Sequence, residues 1–489
     1  MHKRWALAFL LAACGDNHPE AMPVEQPPDA AMPVAATCDE ANLVTTLRAL
    51  PHVTNVLEED CGQYVEGDVR CFGIAFEQPV QHATPGTHFE QRLFLMHRGC
   101  DRPTLVADWG YSNDSFFDDE LAVLYRANAL WVEHRFQGTS LPAEADWDWT
   151  ALTIKNGAAD MHEIVSAFRT HYGEHFVSTG ASKGGITATY HHYLYPDDLD
   201  GAIPYVAPAS RSPIDSAYQT YLSTNYPPCA QQLRDAQVAA LGTRRAMMIQ
   251  RLATIAPDYE NLMLEAMTAS FDWSFWQYYG VGYCSYVPTA SSTDDAFFNF
   301  FYQFSGFGEV AAPVGGNNDE LSWGALYYEW LTEQGFALQL GAHVRPLVTE
   351  PYTLMTMEDN FHEMFPDVTL PAYDGAITHA VRTWTRERAE DLLLIYGQYD
   401  PWSGGAMDAP ERPTSARFFV PNATHGAQLL KLGATERVAA LAHATRLFGV
   451  EPMLPMQHVA RAAGANRDAI LSAKERGQRA QMVKRRFRR

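Results

Sequence analysis

The stretch HFVSTGASKGGITATYHHYLYP, from His175 to Pro196, decides how the rest of the chain is read. An apolar and β-branched run leads into Gly180-Ala181-Ser182-Lys183-Gly184, and a helix-like segment follows. A strand that turns sharply into a helix strains the backbone of the residue at the turn. Glycines two positions before and two after it, Gly180 and Gly184, remove side chains that would clash there. The turn lifts the Ser182 hydroxyl to the end of the strand, beside a helix N-terminus. The pattern alone is also that of a glycine-rich turn. The flanking strand and helix make Ser182 the candidate nucleophile.

Upstream, FGIAFEQPV (Phe72 to Val80) and FEQRLFLMHR (Phe89 to Arg98) read as paired early strands. PTLVADWGY (Pro103 to Tyr111) and NALWVEHRF (Asn128 to Phe136) read as strands, and NGAADMHEIVSAFRTHY (Asn156 to Tyr172) as an amphipathic helix. Downstream, DGAIPYVAP (Asp200 to Pro208) is a further strand. From about Ser210 to Ala389 the character changes to aromatic-rich and helical, as in Leu233 to Ile255 and SFDWSFWQYY (Ser270 to Tyr279). Strands then return in DLLLIYGQYDP (Asp391 to Pro401) and ARFFVPNATHG (Ala416 to Gly426). Strands separated by helices argue a mostly parallel sheet covered by helices. A sheet interrupted by a helical block and then resumed is the layout of an α/β-hydrolase fold, with a large helical cap inserted before the last core strands.

Serine is a weak nucleophile. It needs a base, and the base needs an orienting acid. In this layout the chain order is serine, acid, histidine. Asp400 closes a late strand and His425 follows the next one, so they are the candidate acid and base. Asp400 also precedes Pro401, a common turn arrangement, and Asp408 is its local competitor. An oxyanion hole requires backbone N–H groups where negative charge develops. Lys183, directly after the serine, is one candidate donor. Gly110 or Tyr111, after the strand ending in Ala107-Asp108-Trp109, is the other.

The 489 residues suit one large domain with an insertion, or two domains. The formal net charge of -22 argues against nucleic-acid binding, which needs clustered Lys and Arg. The exception is the basic end ERGQRAQMVKRRFRR (Glu475 to Arg489), read as a solvated tail or a tether to an anionic surface. HHYLYPDD and HYGEH lack the HExxH pattern, and MHEIVS and FHEMFP lack its second histidine. No metal and no cofactor is expected.

MHKRWALAFLLAAC has a basic start, a short apolar run and small residues before Cys14. That is the layout of an export signal. Leu11-Ala12-Ala13-Cys14 resembles a bacterial lipobox, with Cys14 the lipidation site; plain secretion is the alternative. Residues 15–37 are rich in Pro and Ala and read as a flexible linker. Setting Cys14 aside leaves six cysteines, an even number in an exported chain. Cys229 and Cys284 are expected to pair, with Cys38, Cys61, Cys71 and Cys100 pairing among themselves. The expected organisation is a signal over 1–14, a linker over 15–37, core over 38–209, cap over 210–389, core over 390–450 and a helical or basic tail over 451–489.

Four longer motifs narrow the reading: FEQPVQH with GTHFEQRLFLMHR, EHRFQGTSLP with DWDWTALTIKNGAADMHEIVSAFR, the segment Ser178 to Pro208, and IYGQYDPW. Together they resemble the secreted bacterial tripeptidyl aminopeptidases, including the prolyl tripeptidyl aminopeptidases, from roughly Pro51 to Val450. The EHR stretch is also similar to the prolyl carboxypeptidase and dipeptidyl peptidase II relatives. The resemblance implies an α/β-hydrolase serine peptidase with Ser182, Asp400 and His425 at the triad positions. It implies release of short peptides, typically tripeptides, from a free N-terminus, in some members after proline. The expected partner is therefore a peptide with a free N-terminus. An aminopeptidase must hold a protonated amine, and Glu133 is the candidate carboxylate; the plainer role is pairing with Arg135 or another cation to order a loop. Trp402 and the cap aromatics are candidates for a proline-stacking pocket, or for cap packing. An esterase or lipase on the same fold is the alternative activity, and a non-catalytic surface lipoprotein a third reading.

Overall fold

The computed structural model describes residues 37–84, 86–173, 175–224, 227–305 and 319–453. Cys14, the signal, nearly all of the linker and most of the basic tail lie outside these residues.

In chain order the strands are β1 (Val53–Glu59), β2 (Arg70–Pro79), β3 (His88–His97), β4 (Thr104–Asp108), β5 (Asn128–Val132), β6 (Phe176–Ala181) and β7 (Gly201–Tyr205). The short β8 (Ile214–Asp215) and β9 (Phe336–Ala337) follow, then β10 (Leu393–Gly397) and β11 (Ala416–Val420). Nine of them form one sheet in the order β1-β2-β3-β5-β4-β6-β7-β10-β11. The first three pair antiparallel, and β3 meets β5 antiparallel. From β5 to β11 every pairing is parallel. Strand β1 goes beyond the sequence reading; its largely exposed face leaves a weak apolar pattern.

The parallel strands β4, β5, β6, β7 and β10 are buried at every position. Such strands carry continuous apolar runs because helices cover both faces. One cover is the helix Ile154–Tyr172, whose N-cap Thr153 accepts from Asn156 N–H and whose buried Met161, Ile164, Val165 and Phe168 recur at helical spacing. Another, Lys183–Leu194, is buried on nearly all sides. Ala434–Phe448 closes the other face through Ala440, Ala444 and Phe448.

The helix Ala376–Glu387, inside the expected cap bounds, packs Val381 against Ile186, Leu194 and Leu392 of the core, and the helices between Ala217 and Met364 form the inserted cap. It has its own core, including Tyr218, Phe271, Trp273, Phe275, Trp276 and Phe301, against which Trp402 packs. β8 and β9 pair with each other as a separate two-stranded sheet. Disulfides join Cys38 to Cys100, Cys61 to Cys71 and Cys229 to Cys284. Among the described residues, no helix is long and apolar enough to cross a membrane.

Candidate active site

The serine turn is built as the glycine spacing requires. Ser182 has φ 57° and ψ -124°, a region L-residues rarely occupy. Its N–H donates to Tyr205 O at 3.0 Å, which ties the turn to β7. A Cβ at Gly180 would lie 2.4 Å from Gly184 O, and one at Gly184 would lie 2.9 Å from Trp109 Cα. Neither backbone contact can yield, so glycine is required at both positions.

Asp400 follows β10 and caps the short turn Pro401–Gly405, with Oδ1 accepting from Trp402 N–H. Its Oδ2 stands 2.8 Å from His425 Nδ1, and its side chain is fully buried. His425 N–H donates to Gln277 O of the cap at 3.1 Å. The Trp402 ring lies 6.1 Å from the His425 ring, centroid to centroid. Asp408, the competitor, is half exposed and faces Arg382 at 3.9 Å.

Ser182 opens into a pocket of about 380 Å³, a volume that runs out into solvent. Its walls include Tyr111, Lys183, Tyr190, Tyr218, Trp330, Gln334, Phe336 and Trp402. The aromatics interlock: Trp330 lies 4.5 Å from Phe336, Phe336 5.4 Å from Trp402, and Trp402 5.1 Å from Trp273. Trp402 therefore both lines the pocket and belongs to the cap packing. Trp330 and Gln334 bound a wide π-turn that continues the cap helix Asp319–Glu329. Such turns interrupt helices frequently at functional sites.

Two expectations need correction. Gly110 N–H donates to Asp108 Oδ1 at 2.7 Å, so it is committed and does not face the pocket as an oxyanion donor. Gly110 is glycine for another reason: its φ is +72°, and a Cβ would lie 2.6 Å from Lys183 Cγ. Tyr111, its neighbour, lines the pocket with Lys183. Lys183 is the first residue of its helix, where a backbone N–H has no intrahelical acceptor.

Glu133 is the second correction. It is buried, and its Oε2 accepts from the N–H and hydroxyl groups of both Thr139 and Ser140, while Oε1 accepts from Asn113 N–H. Those five bonds use the carboxylate to knit two loops, and at 1% exposure it is not among the residues that line the pocket with Ser182. Burial pushes its pKa up, with the hydrogen bonds from Ser140 and Thr139 opposing. Nor does it pair with Arg135. That guanidinium forks onto Asp160 at 2.7 and 3.0 Å and donates to Val80 O, Ala151 O and Pro79 O.

The middle residue of the same motif was missed. His134 Nδ1 stands 2.7 Å from Asp108 Oδ2, and Nε2 stands 2.8 Å from Glu329 Oε1. Glu329 Oε2 reaches Lys183 Nζ at 2.8 Å. No local pattern marks Glu329, because its partner His134 lies 195 residues away. Among the described residues, one trio of metal-ligand types gathers, Glu40, His97 and Cys100, and Cys100 is committed to a disulfide.

Residues 42–481 match the family described as PS-10 peptidase S37. The chain belongs to that family. The match runs past Val450, so part of the basic end falls inside it. A prolyl tri/tetrapeptidyl aminopeptidase from Streptomyces mobaraensis is 30% identical over 444 residues, covering 85% of this chain and 87% of its own. A lysosomal Pro-X carboxypeptidase from Bos taurus is 23% identical over 68% of this chain and 75% of its own. Among solved structures, a proline iminopeptidase from Mycobacterium smegmatis is 14% identical and covers 77% of this chain and 99% of its own; its TM-score of 0.32 is too low to carry weight. This member of the PS-10 peptidase S37 family is a serine peptidase on an α/β-hydrolase scaffold.

Proposed function

We propose that this serine peptidase releases short peptides, tripeptides foremost, from free N-termini, with a preference for proline before the cut. The observation that carries the reading is the placing of Ser182 and Trp402 in one pocket, with the Asp400–His425 pair against Trp402.

Ser182 Oγ attacks the scissile carbonyl. His425 donates its Nδ1–H to Asp400, which leaves Nε2 as the basic nitrogen that takes the serine proton. The backbone N–H groups of Lys183 and Tyr111 receive the oxyanion. The protonated His425 returns its proton to the leaving amine, and an acyl-enzyme on Ser182 remains for water to cleave. The apolar faces of Trp402 and Phe336 suit a pyrrolidine ring, which stacks without needing a polar partner. The name of the Streptomyces relative supports the same substrate class.

Export accords with the signal-like start and with three disulfides, which persist in oxidising compartments. The lipobox-like run makes Cys14 the anchor residue, the sole membrane attachment in this reading.

Two matched chromogenic peptides test the activity: Ala-Ala-Pro-p-nitroanilide with a free amine, and its N-acetylated form. Wild-type enzyme is expected to cleave the free form alone, and Ser182→Ala neither. Equal cleavage of both would make the enzyme an endopeptidase. Hydrolysis of a short ester with neither peptide cut would overturn the peptidyl reading.

A further inference from the structure

The four groups Asp108, His134, Glu329 and Lys183 form one continuous chain, with successive contacts of 2.7, 2.8 and 2.8 Å. All four side chains are 2–3% exposed. They come from four places: the end of β4, the loop after β5, the last residue of the cap helix Asp319–Glu329, and the residue after Ser182. The Glu329–Lys183 contact is an ion pair set off the line of an ideal hydrogen bond.

The protonation state follows from geometry. A neutral imidazole has one N–H donor. Both nitrogens of His134 face carboxylate oxygens at hydrogen-bond distance, so an imidazolium that donates to both satisfies the ring with each carboxylate ionised. Charges then alternate, negative, positive, negative, positive, and sum to zero across four buried side chains. Burial alone would lower the His134 pKa; Asp108 and Glu329 outweigh it against Lys183 and raise it to about 9. Glu329, pulled down by Lys183 and His134 against burial, falls to about 2. Gly157 of the helix Ile154–Tyr172 lies beside the ring.

Both ends of the chain touch the site. Asp108 holds Gly110 N–H with its other oxygen, one residue before Tyr111. Lys183 carries the backbone N–H beside the nucleophile. The cap enters in the middle, through Glu329, directly before Trp330 of the pocket wall.

We propose that Asp108, His134, Glu329 and the Lys183 side chain are positioning residues that hold the Tyr111 and Lys183 backbone donors in place, and make that geometry conditional on a seated cap. This rests on the acyl-transfer reading of Ser182 above. It does not require that the substrate be a peptide.

The test uses the full chain with two probes, free-amine Ala-Ala-Pro-p-nitroanilide and p-nitrophenyl acetate, subtracting the Ser182→Ala rate. A displacement of about 1 Å at a catalytic group costs on the order of 10²-fold. Glu329→Gln is therefore expected to lose about 10- to 100-fold in kcat on both probes, with KM for the ester within about threefold of wild type. The ester has no amine to titrate, so wild-type kcat on it should fall as pH rises through about 9, where His134 loses its proton. His134→Gln should run at a low rate with that limb absent. Glu329→Gln within about twofold of wild type on both probes would overturn the proposal. If Glu329→Gln does not fold, Glu329→Asp, which keeps the charge and shortens its reach to His134 and Lys183, takes its place, and a kcat within about twofold of wild type on both probes would overturn the proposal equally. Ester turnover without peptide turnover would sink the aminopeptidase reading alone, and the ester rates would still decide this one.

Discussion

At the scale of single residues, several positions are set by backbone approach rather than by side-chain chemistry. Gly110 is one. Its positive φ and the 2.6 Å approach to Lys183 Cγ leave no room for a methyl group. Gly110→Ala should push Lys183, and with it the helix start beside Ser182. A loss of about 10²-fold in kcat is expected, larger than any change in KM. Steady-state kinetics on the free-amine anilide would check it; unchanged kcat would mean that the loop can shift without moving the donors. Ser182 itself was legible because its signal is local: the strain and the glycines that permit it fall within five residues. Glu133 was misread for the opposite reason. A carboxylate at a strand end looks the same in sequence whether it faces a substrate or, as here, five donors from three neighbouring residues.

At the scale of elements, the π-turn Trp330–Gln334 carries the pocket residues Trp330 and Gln334 and, between them, the carboxyl of Glu333. Glu333 accepts from Ile154 N–H, and burial pushes its pKa up to about 7, with Glu329 and Asp374 adding to the rise. A raised carboxyl pKa costs stability once the unfolded chain can ionise. Wild-type stability from this group should thus fall as pH climbs from the ordinary 4.5 to about 7. Glu333→Gln keeps an acceptor for Ile154 N–H and cannot ionise. It should gain up to about 3 kcal/mol over wild type at about pH 8, with the gain vanishing near about pH 4. Thermal melts at the two pH values would show it; a difference independent of pH would refute the raised pKa. The strands and the long helix were legible because their apolar periods are strong. Strand β1 was not, because most of its residues face solvent.

At the scale of the whole molecule, cap and core are joined at the site. Gln277 O holds the His425 N–H, Trp273 packs on Trp402, and Glu329 enters the buried charge chain. Loosening the cap should therefore cost activity as well as stability. The Cys229–Cys284 bridge closes a 55-residue separation within the cap. Replacing both cysteines by serine should cost about 2–4 kcal/mol. In denaturant, loss of activity should coincide with cap unfolding and precede loss of the core; activity that survives until the core unfolds would show that the cap only shields the site. By itself, the sequence determined the parallel strands, the interrupted sheet, the serine turn and which late aspartate and histidine are candidates to serve it, because each is written in local periodicity or in short spacing. Only the tertiary structure decided which members of Glu133-His134-Arg135 face which partners, that Gly110 N–H is already taken, and that a cap glutamate reaches the residue beside the nucleophile. Those are contacts between segments up to 195 residues apart, and no local pattern records the buried partners that keep His134 protonated against the cost of burial.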